Sequence, residues 1–203
     1  MRIHLIRHGE CLSDTDDSFG GIADFALSPG GRKQASVLAE SLAGSGLAVI
    51  YSSPYRRALE TAAIIRCRTG APLTVVPGLC ERNCFGVLSG VSRARARELF
   101  PHVLAAIKGR PGDFYSGELL TGAEPVEEFV ARGTAAFHHV IADAQGCREV
   151  AVVTHGNVIR AIYRDILGVL GRVSVAHASV TLIEVQQVRA SVLASAGVVI
   201  ERR

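Results

Sequence analysis

The sequence predicts an α/β protein, a three-layer α/β/α sandwich with a mainly parallel sheet and an antiparallel edge strand. Short apolar runs of the kind that form buried strands alternate with amphipathic helical stretches over most of the 203 residues. Such alternation indicates βαβ units with helices on both faces of a parallel sheet. The last two apolar runs have no helix between them and are interpreted as an edge hairpin. No linker, repeat or low-complexity tract divides the chain, so we expect a single domain over residues 1–203.

The N-terminal half is predicted to hold three strands, a loop and two helices. Each strand is a short apolar run, and the runs lie at residues 2–7, 47–51 and 72–76, with a polar loop at 10–23. Ser28 is a suitable N-cap for the first helix, with Pro29 in its first turn and Gly44 at its end. The second helix follows Pro54 and extends from residue 55 to residue 68.

The C-terminal half continues the alternation and ends on the hairpin. Pro101 separates two short predicted helices, and Pro125 begins a long amphipathic helix that stops near Gly146. The predicted elements are helices 91–99 and 101–109, loop 110–122, helix 125–146, strand 149–154, helix 157–166, and strands 179–188 and 190–200.

The charge pattern favours a soluble enzyme and gives no indication of a nucleic-acid or membrane partner. The net charge is +3, and Lys and Arg are scattered rather than aligned on one face. One basic cluster, Arg93, Arg95 and Arg97, alternates with Ala; it is interpreted as a solvated helix surface, with a rim that attracts an anionic substrate as the alternative. No apolar run reaches the roughly 18 residues of a membrane span.

The cysteines show no spacing typical of disulfides or zinc sites. Met1 leads directly into a strand without a signal peptide, so we expect a cytoplasmic protein with reduced thiols. Cys80 and Cys84 lie close together, but no second Cys or His pair follows at zinc spacing, and no metal is expected. The five cysteines are Cys11, Cys67, Cys80, Cys84 and Cys147.

Two predicted strands end on the same short motif. Arg7-His8-Gly9 follows the first strand, and Thr154-His155-Gly156 ends the strand at 149–154. Ligands of an open parallel sheet bind outside the carboxyl ends of its strands, so both histidines are expected at one crevice. The helix that begins at Asn157 would direct its N-terminal dipole there, which favours an anion.

Arg57 and Glu81 are expected at the same crevice. Arg57 lies in the first turn of the helix after strand 47–51, and Glu81 follows strand 72–76. Arginines match phosphate oxygens in bidentate geometry, so two arginines and two histidines predict a phosphate cradle with His8 as nucleophile. Glu81 would supply the carboxylic acid. The other histidines stand in no such context and are interpreted as surface or packing residues: His4, His102, His138, His139 and His177.

These motifs resemble those of the histidine phosphatase superfamily, in its phosphoglycerate-mutase-like branch. The resemblance covers most of the chain. Its blocks lie at residues 6–10, 24–35, 52–62, 79–90, 122–132 and 152–157, with Ala123-Glu124 in place of the family's usual Glu-Ser.

The resemblance implies a phosphoglycerate-mutase-like fold and chemistry that needs no metal or cofactor. His8 would attack the phosphorus of a monoester and become a phosphohistidine, while Arg7, Arg57 and His155 hold the phosphoryl oxygens. Glu81 would protonate the leaving oxygen and then help to activate water. Further substrate contacts are expected from Gly9, Cys11, Asp14, Gly20, Gly21, Arg82, Gly156 and Asn157.

Two positions depart from the family pattern beside the nucleophile. Asp14 stands where an Asn that donates to phosphate is usual, and an ionised Asp there would repel the substrate; a turn residue that faces solvent is the alternative. Cys11 stands where Ser is usual and would weaken a phosphate contact or make the site oxidisable.

The favoured function is a metal-independent phosphatase that acts on a small phosphorylated metabolite. A cofactor-dependent phosphoglycerate mutase is an alternative, but Ser92 stands at the position of a mutase lysine and the stretch to Gly122 is short. A catalytically weakened phospho-ligand-binding protein is a third interpretation, motivated by Cys11 and Asp14. A homodimer is left open as the assembly.

The substrate itself is left open by the sequence. A sugar phosphate, a phosphoglycerate derivative, phosphoserine or a nucleotide-loop precursor would each suit the loops expected over the pocket. Those loops carry Phe19, Ile22, Phe25, Phe85, Phe114 and Tyr115.

Overall fold

A six-stranded mixed sheet forms the centre of the computed structural model, which describes residues 1–107, 120–187 and 189–201. The strand order is β3-β2-β4-β1-β5-β6; the first four are parallel, and β5 and β6 are antiparallel. The strands are β1 (Arg2–Arg7), β2 (Ile50–Ser52), β3 (Leu73–Val75), β4 (Glu149–Thr154), β5 (Arg172–Gln186) and β6 (Arg189–Glu201).

Helices cover both faces of the sheet, which confirms the predicted α/β class. They are α1 (Leu12–Thr15), α2 (Pro29–Ser41), α3 (Arg56–Thr69), α4 (Arg93–Leu99), α5 (Pro101–Ile107), α6 (Val126–Asp143) and α7 (Gly156–Asp165). The N-cap prediction for α2 is confirmed, since the Ser28 hydroxyl accepts from the Gly31 amide at 2.9 Å.

Alternate residues of the central strands pack into two separate cores. Leu5 and Val152 lie in the core beneath α6 and α7, whereas Ile6 and Val153 lie in the core beneath α2 and α3. All four are buried on a sheet with two covered faces, and each contributes about 1.5–3 kcal/mol by its burial. The continuous apolar runs of these strands therefore follow from burial on both faces.

The antiparallel edge is larger than predicted. The hairpin strands begin and end outside the predicted 179–188 and 190–200, and the first of them starts already at Arg172. The pairing of β5 with β6 shifts register between Val175 and Val180, and Ala178 has a φ of +52°. This irregularity interrupts the alternation of apolar and polar residues, so the sequence pattern reveals only the part of β5 that follows it.

Smaller corrections concern helix bounds and loops. The segment predicted as loop 10–23 contains the short helix α1, and β2 starts three residues later than predicted, at Ile50 rather than residue 47. The last residues of predicted helix 101–109 and most of loop 110–122 lie outside the described residues, as do Phe114 and Tyr115. Within the described ranges, no helix has both the length and the apolar character needed to cross a bilayer.

Candidate active site

The register of β1 and β4 brings the two histidines together. Arg7 lies level with Thr154 in this parallel pair, so the next residues, His8 and His155, leave the sheet side by side. Their ring centroids are 5.0 Å apart, and both side chains are buried. The sheet edge predicted to collect the site is the edge at which the structure places it.

The geometry of His8 leaves one ring nitrogen available as a nucleophile. Nδ1 lies 2.7 Å from the carbonyl oxygen of Gly9, and because a carbonyl only accepts, Nδ1 carries the proton. The lone pair of the neutral ring is then on Nε2. Burial lowers the pKa of His8 well below its ordinary value, and the charges of Arg57 and Arg7 lower it further. The imidazole is therefore neutral at physiological pH.

The loop after β1 is held against α2 and α3. The Gly9 amide donates to the Thr61 hydroxyl at 3.1 Å, and the Glu10 amide donates to the Gln34 side chain at 2.9 Å. A Cβ on Gly9 would lie 2.5 Å from the carbonyl oxygen of Gly31, and one on Gly31 would lie 1.9 Å from that of Glu10. Glycine at both positions permits this close approach, which fixes the backbone beneath His8.

The second histidine is fixed by β2. His155 Nε2 lies 2.6 Å from the Ser53 hydroxyl, while the buried Nδ1 has no hydrogen-bond partner among the described residues. Burial, followed by the charge of Arg57, lowers the pKa of His155 well below its ordinary value. This ring is also neutral, and with the hydroxyl proton directed to Nε2 its Nδ1–H is a donor to an oxygen in the site.

Two arginines flank the histidines, as the sequence predicts. Arg7 donates from Nη1 to the Val175 carbonyl at 2.6 Å, and its buried Nε has no hydrogen-bond partner in the described part of the chain. Arg57 is buried and donates to the carbonyl oxygens of Ala23 and Gly21 at 2.8 and 2.9 Å. Gly21 thus holds an arginine through its carbonyl, and its neighbour Gly20 lies beside Ser13.

Glu81 lies between the sheet edge and the start of α7. Its Oε2 accepts from the Asn157 amide at 3.4 Å and its Oε1 from the Arg82 amide at 2.9 Å. The loop that carries it is fixed to β4, because the Thr154 hydroxyl donates to the Leu79 carbonyl at 2.7 Å. This arrangement leaves a carboxyl group within electrostatic range of Arg7.

A buried ion pair supports the acid loop from the side of α6. Arg132 donates to both carboxylate oxygens of Glu124, at 3.0 and 2.9 Å, and to the carbonyls of Gly78 and Cys80. Glu124 belongs to the Gly122-Ala123-Glu124 block that departs from the family pattern. Its role here is to orient an arginine that holds the loop in place.

Arg82 and Phe19 lie elsewhere than expected for groups that contact substrate. Arg82 is 1% exposed and donates from Nε and Nη2 to the Glu124 carbonyl, so its guanidinium lies beneath the acid loop. Phe19 is buried in a small core with Leu88 and packs edge-on against Phe85 at 5.1 Å. Both have structural partners, which corrects the expectation that they face the substrate.

The two departures from the family pattern bind each other. Asp14 Oδ2 accepts from the Cys11 amide at 3.0 Å and lies 3.1 Å from the Cys11 sulfur. Burial alone would raise the pKa of Asp14, but these hydrogen bonds and the nearby His177 and Arg7 outweigh it and lower the pKa. Asp14 is therefore an ionised carboxylate that caps α1, and burial raises the pKa of the Cys11 thiol.

Gly156 and Asn157 lie at the N-terminus of α7, as predicted. A Cβ on Gly156 would lie 3.2 Å from Nη1 of Arg160 and 3.7 Å from Nε of Arg7. The Asn157 side-chain oxygen accepts from Arg160 at 3.2 Å, so this side chain is directed along its own helix. The contribution of Asn157 to the site is its amide, which contacts Glu81.

The sequence interpretation missed His177. It was expected at the surface, yet its ring centroid lies 5.7 Å from that of His8, and its Nε2 lies 2.7 Å from Nη2 of Arg7. The irregularity in β5 places it there, since the Ala178 amide donates to the His8 carbonyl at 3.1 Å. Only the pairing of β5 beside β1 identifies this residue, and that pairing is a property of the sheet.

Known proteins share both the sequence pattern and the fold. Residues 3–196 match the sequence model of the histidine phosphatase superfamily, branch 1. The chain is similar to the metal-independent phosphoserine phosphatase of Arabidopsis thaliana, with 32% identity over 91% of this chain and 76% of that protein. It is also similar to phosphoglycerate mutase-like protein 4 of the same plant, with 30% identity over 79% of this chain and 69% of that protein.

A solved structure shows the same fold. The phosphoglycerate mutase from Bacillus anthracis str. Sterne superposes with a TM-score of 0.81 over 97% of this chain and 92% of that one, at 24% identity. The match of nearly the whole chain to one family agrees with the fold and with the histidine pair at the sheet edge. The chain belongs to the histidine phosphatase superfamily.

Proposed function

We propose that this protein is a metal-independent phosphatase that hydrolyses small phosphate monoesters through a phosphohistidine on His8. The observation that carries the proposal is the hydrogen bond from His8 Nδ1 to the Gly9 carbonyl, which leaves a neutral ring with its lone pair on Nε2. Arg7, Arg57 and His155 surround that ring with donors for phosphoryl oxygens. The similarity to a metal-independent phosphoserine phosphatase supports the same chemistry.

In the first step, Nε2 of His8 attacks phosphorus and the bond from phosphorus to the ester oxygen breaks. Glu81, protonated for this step, gives its proton to the leaving oxygen, and an alcohol departs. The arginines take up the charge that develops on the phosphoryl oxygens, which is the role that a metal ion would otherwise play. The Nδ1–H of His155 adds a donor to the same oxygens.

In the second step, water attacks the phosphohistidine. The Glu81 carboxylate takes a proton from the water, the bond between phosphorus and Nε2 breaks, and inorganic phosphate and neutral His8 are released. Glu81 is thus restored to its protonated form. The amides of Arg82 and Asn157 hold this carboxyl group in one orientation through both steps.

A phosphatase is favoured over a mutase because a mutase must also hold a second charged group. Ser92, at the position of the mutase lysine, caps α4 by accepting from the Arg95 amide at 3.2 Å and carries no charge. The neighbouring Arg93 is paired with Asp17 at 3.0 Å and covers the Phe19 ring. The described cations of this segment are therefore engaged with the protein itself.

The test is phosphate release from p-nitrophenyl phosphate, phosphoserine, phosphoglycerates and sugar phosphates in the presence of a metal chelator. The wild type is expected to release phosphate, to form an acid-labile, base-stable phosphoenzyme, and to lose both in His8→Ala. His102→Ala, which alters an exposed histidine, is the matched control. Phosphate binding without release would favour a binding protein. Primer-dependent exchange between phosphoglycerates without net release would favour a mutase.

A further inference from the structure

His177 and Asp14 form a charged pair beside the nucleophile that the proposed chemistry does not use. Nε2 of His177 lies 3.4 Å from Oδ2 of Asp14 and 2.7 Å from Nη2 of Arg7. The charged and titratable groups that face this ring are Arg7 on β1, His8 after β1, Glu10 in the following loop, and Asp14 on α1. The ring is partly buried among them, with 23% of its side chain exposed.

A single ring nitrogen faces both Arg7 and Asp14, and it can serve them only in different protonation states. Arg7 is a donor, so the 2.7 Å contact requires a lone pair on Nε2 and a neutral ring. Asp14 is an acceptor, so it forms a hydrogen bond with Nε2 only when that nitrogen carries a proton. Without that proton, the carboxylate stays uncompensated by His177 next to the phosphate cradle.

A phosphoryl group would change this balance. It would draw on the guanidinium of Arg7, whose Nε has no hydrogen-bond partner among the described residues, and it would bring negative charge close to Asp14. Both changes favour a positive charge on the neighbouring imidazole. A proton on Nε2 then gives Asp14 a donor and removes the repulsion that an unpaired carboxylate would exert on the substrate.

We propose that His177 takes up a proton when a phosphorylated ligand binds and, through Asp14 and Arg7, sets the affinity of the site for phosphate. The proposal rests on the proposed function and deepens it. His177 is a positioning residue, because it acts on the orientation of Arg7 and on the charge of Asp14. It also explains how an aspartate is tolerated where the family pattern has an asparagine: the histidine cancels its charge on demand.

The test compares His177→Gln, Asp14→Asn and the double variant with the wild type. Glutamine keeps a hydrogen-bonding side chain at position 177 but takes up no proton. His177→Gln is expected to weaken binding by about tenfold, the scale of one charged hydrogen bond, and to act mainly on KM. Asp14→Asn should flatten the alkaline fall of kcat/KM, and in that background His177→Gln should have little further effect.

Proton uptake is measured independently of catalysis with sulfate, which remains a dianion in the range where imidazoles titrate. Calorimetric titrations in buffers of different ionisation enthalpy count the protons taken up. The wild type should take up more than His177→Gln, while Asp16→Asn, an exposed aspartate of the same segment, should match the wild type.

The outcomes separate this proposal from the proposed function. Equal proton uptake by wild type and His177→Gln, or additive effects of the two single variants, would overturn the role of His177 even if the enzyme hydrolyses phosphomonoesters. Loss of uptake in His177→Gln by a protein that releases no phosphate would support His177 and refute the phosphatase.

Discussion

Removal of the Ser53 hydroxyl is expected to damage catalysis through His155 alone. The hydroxyl lies 2.6 Å from Nε2 of a histidine that is 0% exposed, so Ser53→Ala leaves a buried ring nitrogen without its partner. An unpaired buried group costs about 1–3 kcal/mol, which corresponds to a melting temperature lower by about 2–12 °C in a chain of this size. The proton of His155 is then no longer directed to Nδ1, the nitrogen that faces the phosphoryl group in the proposed mechanism.

The expected effect on kcat/KM for p-nitrophenyl phosphate is a loss of about 10- to 100-fold, because one preorganised donor to the transition state becomes unreliable. Ser52→Ala is the matched control. Ser52 is equally buried, and its hydroxyl donates at 2.9 Å to the backbone carbonyl of Ser53, away from the ring. It should lower stability by about 1 kcal/mol and leave kcat/KM close to that of the wild type. Equal activity of the two variants would refute the reasoning about His155.

Two further predictions concern stability. Gly31→Ala should destabilise the protein by about 3 kcal/mol in denaturant titrations, because its Cβ would lie 1.9 Å from the Glu10 carbonyl; Gly133→Ala, where the nearest atom is 4.0 Å away in a helix, should stabilise by about 0.5–1 kcal/mol. A neutral Gly31→Ala would contradict the close approach. The free energy of unfolding should also fall as the pH drops below about 6.5, by about 1.4 kcal/mol per pH unit for each of His8 and His155, because burial depresses their pKa in the folded state while the unfolded chain takes up the protons. The slope should be smaller in His155→Gln, and a slope unaffected by that substitution would exclude a neutral buried His155.

The central site was accessible from the sequence because its residues follow strand ends. Arg7, His8 and His155 each come directly after a buried apolar run, and parallel strands deliver such residues to one edge. Arg57 and Glu81 follow the next strands by a few residues and reach the same place. The chemistry of these residue types needed no knowledge of distances, since few other arrangements would place arginines and histidines together in an apolar domain.

Residues whose roles depend on side-chain contacts were assigned less well. Arg82 carries a charge in the acid loop, and its sequence position suits a substrate contact as well as it suits the buried bond to Glu124. Phe19 lies in a polar loop, yet it fills a small core with Leu88. Long side chains reach several ångströms from their backbone positions, so local sequence does not determine which neighbour they meet.

The sequence by itself determined the α/β class, the order of strands and helices, and the identity of the nucleophile, because burial and strand-end chemistry leave a local record. Only the tertiary structure decided that His177 joins the site and that Asp14 is bonded to Cys11. His177 lies 169 residues after His8 along the chain, and an irregular stretch of β5 brings it back beside β1. A contact of this kind arises from strand pairing between distant segments, and no local pattern of apolar and polar residues encodes it.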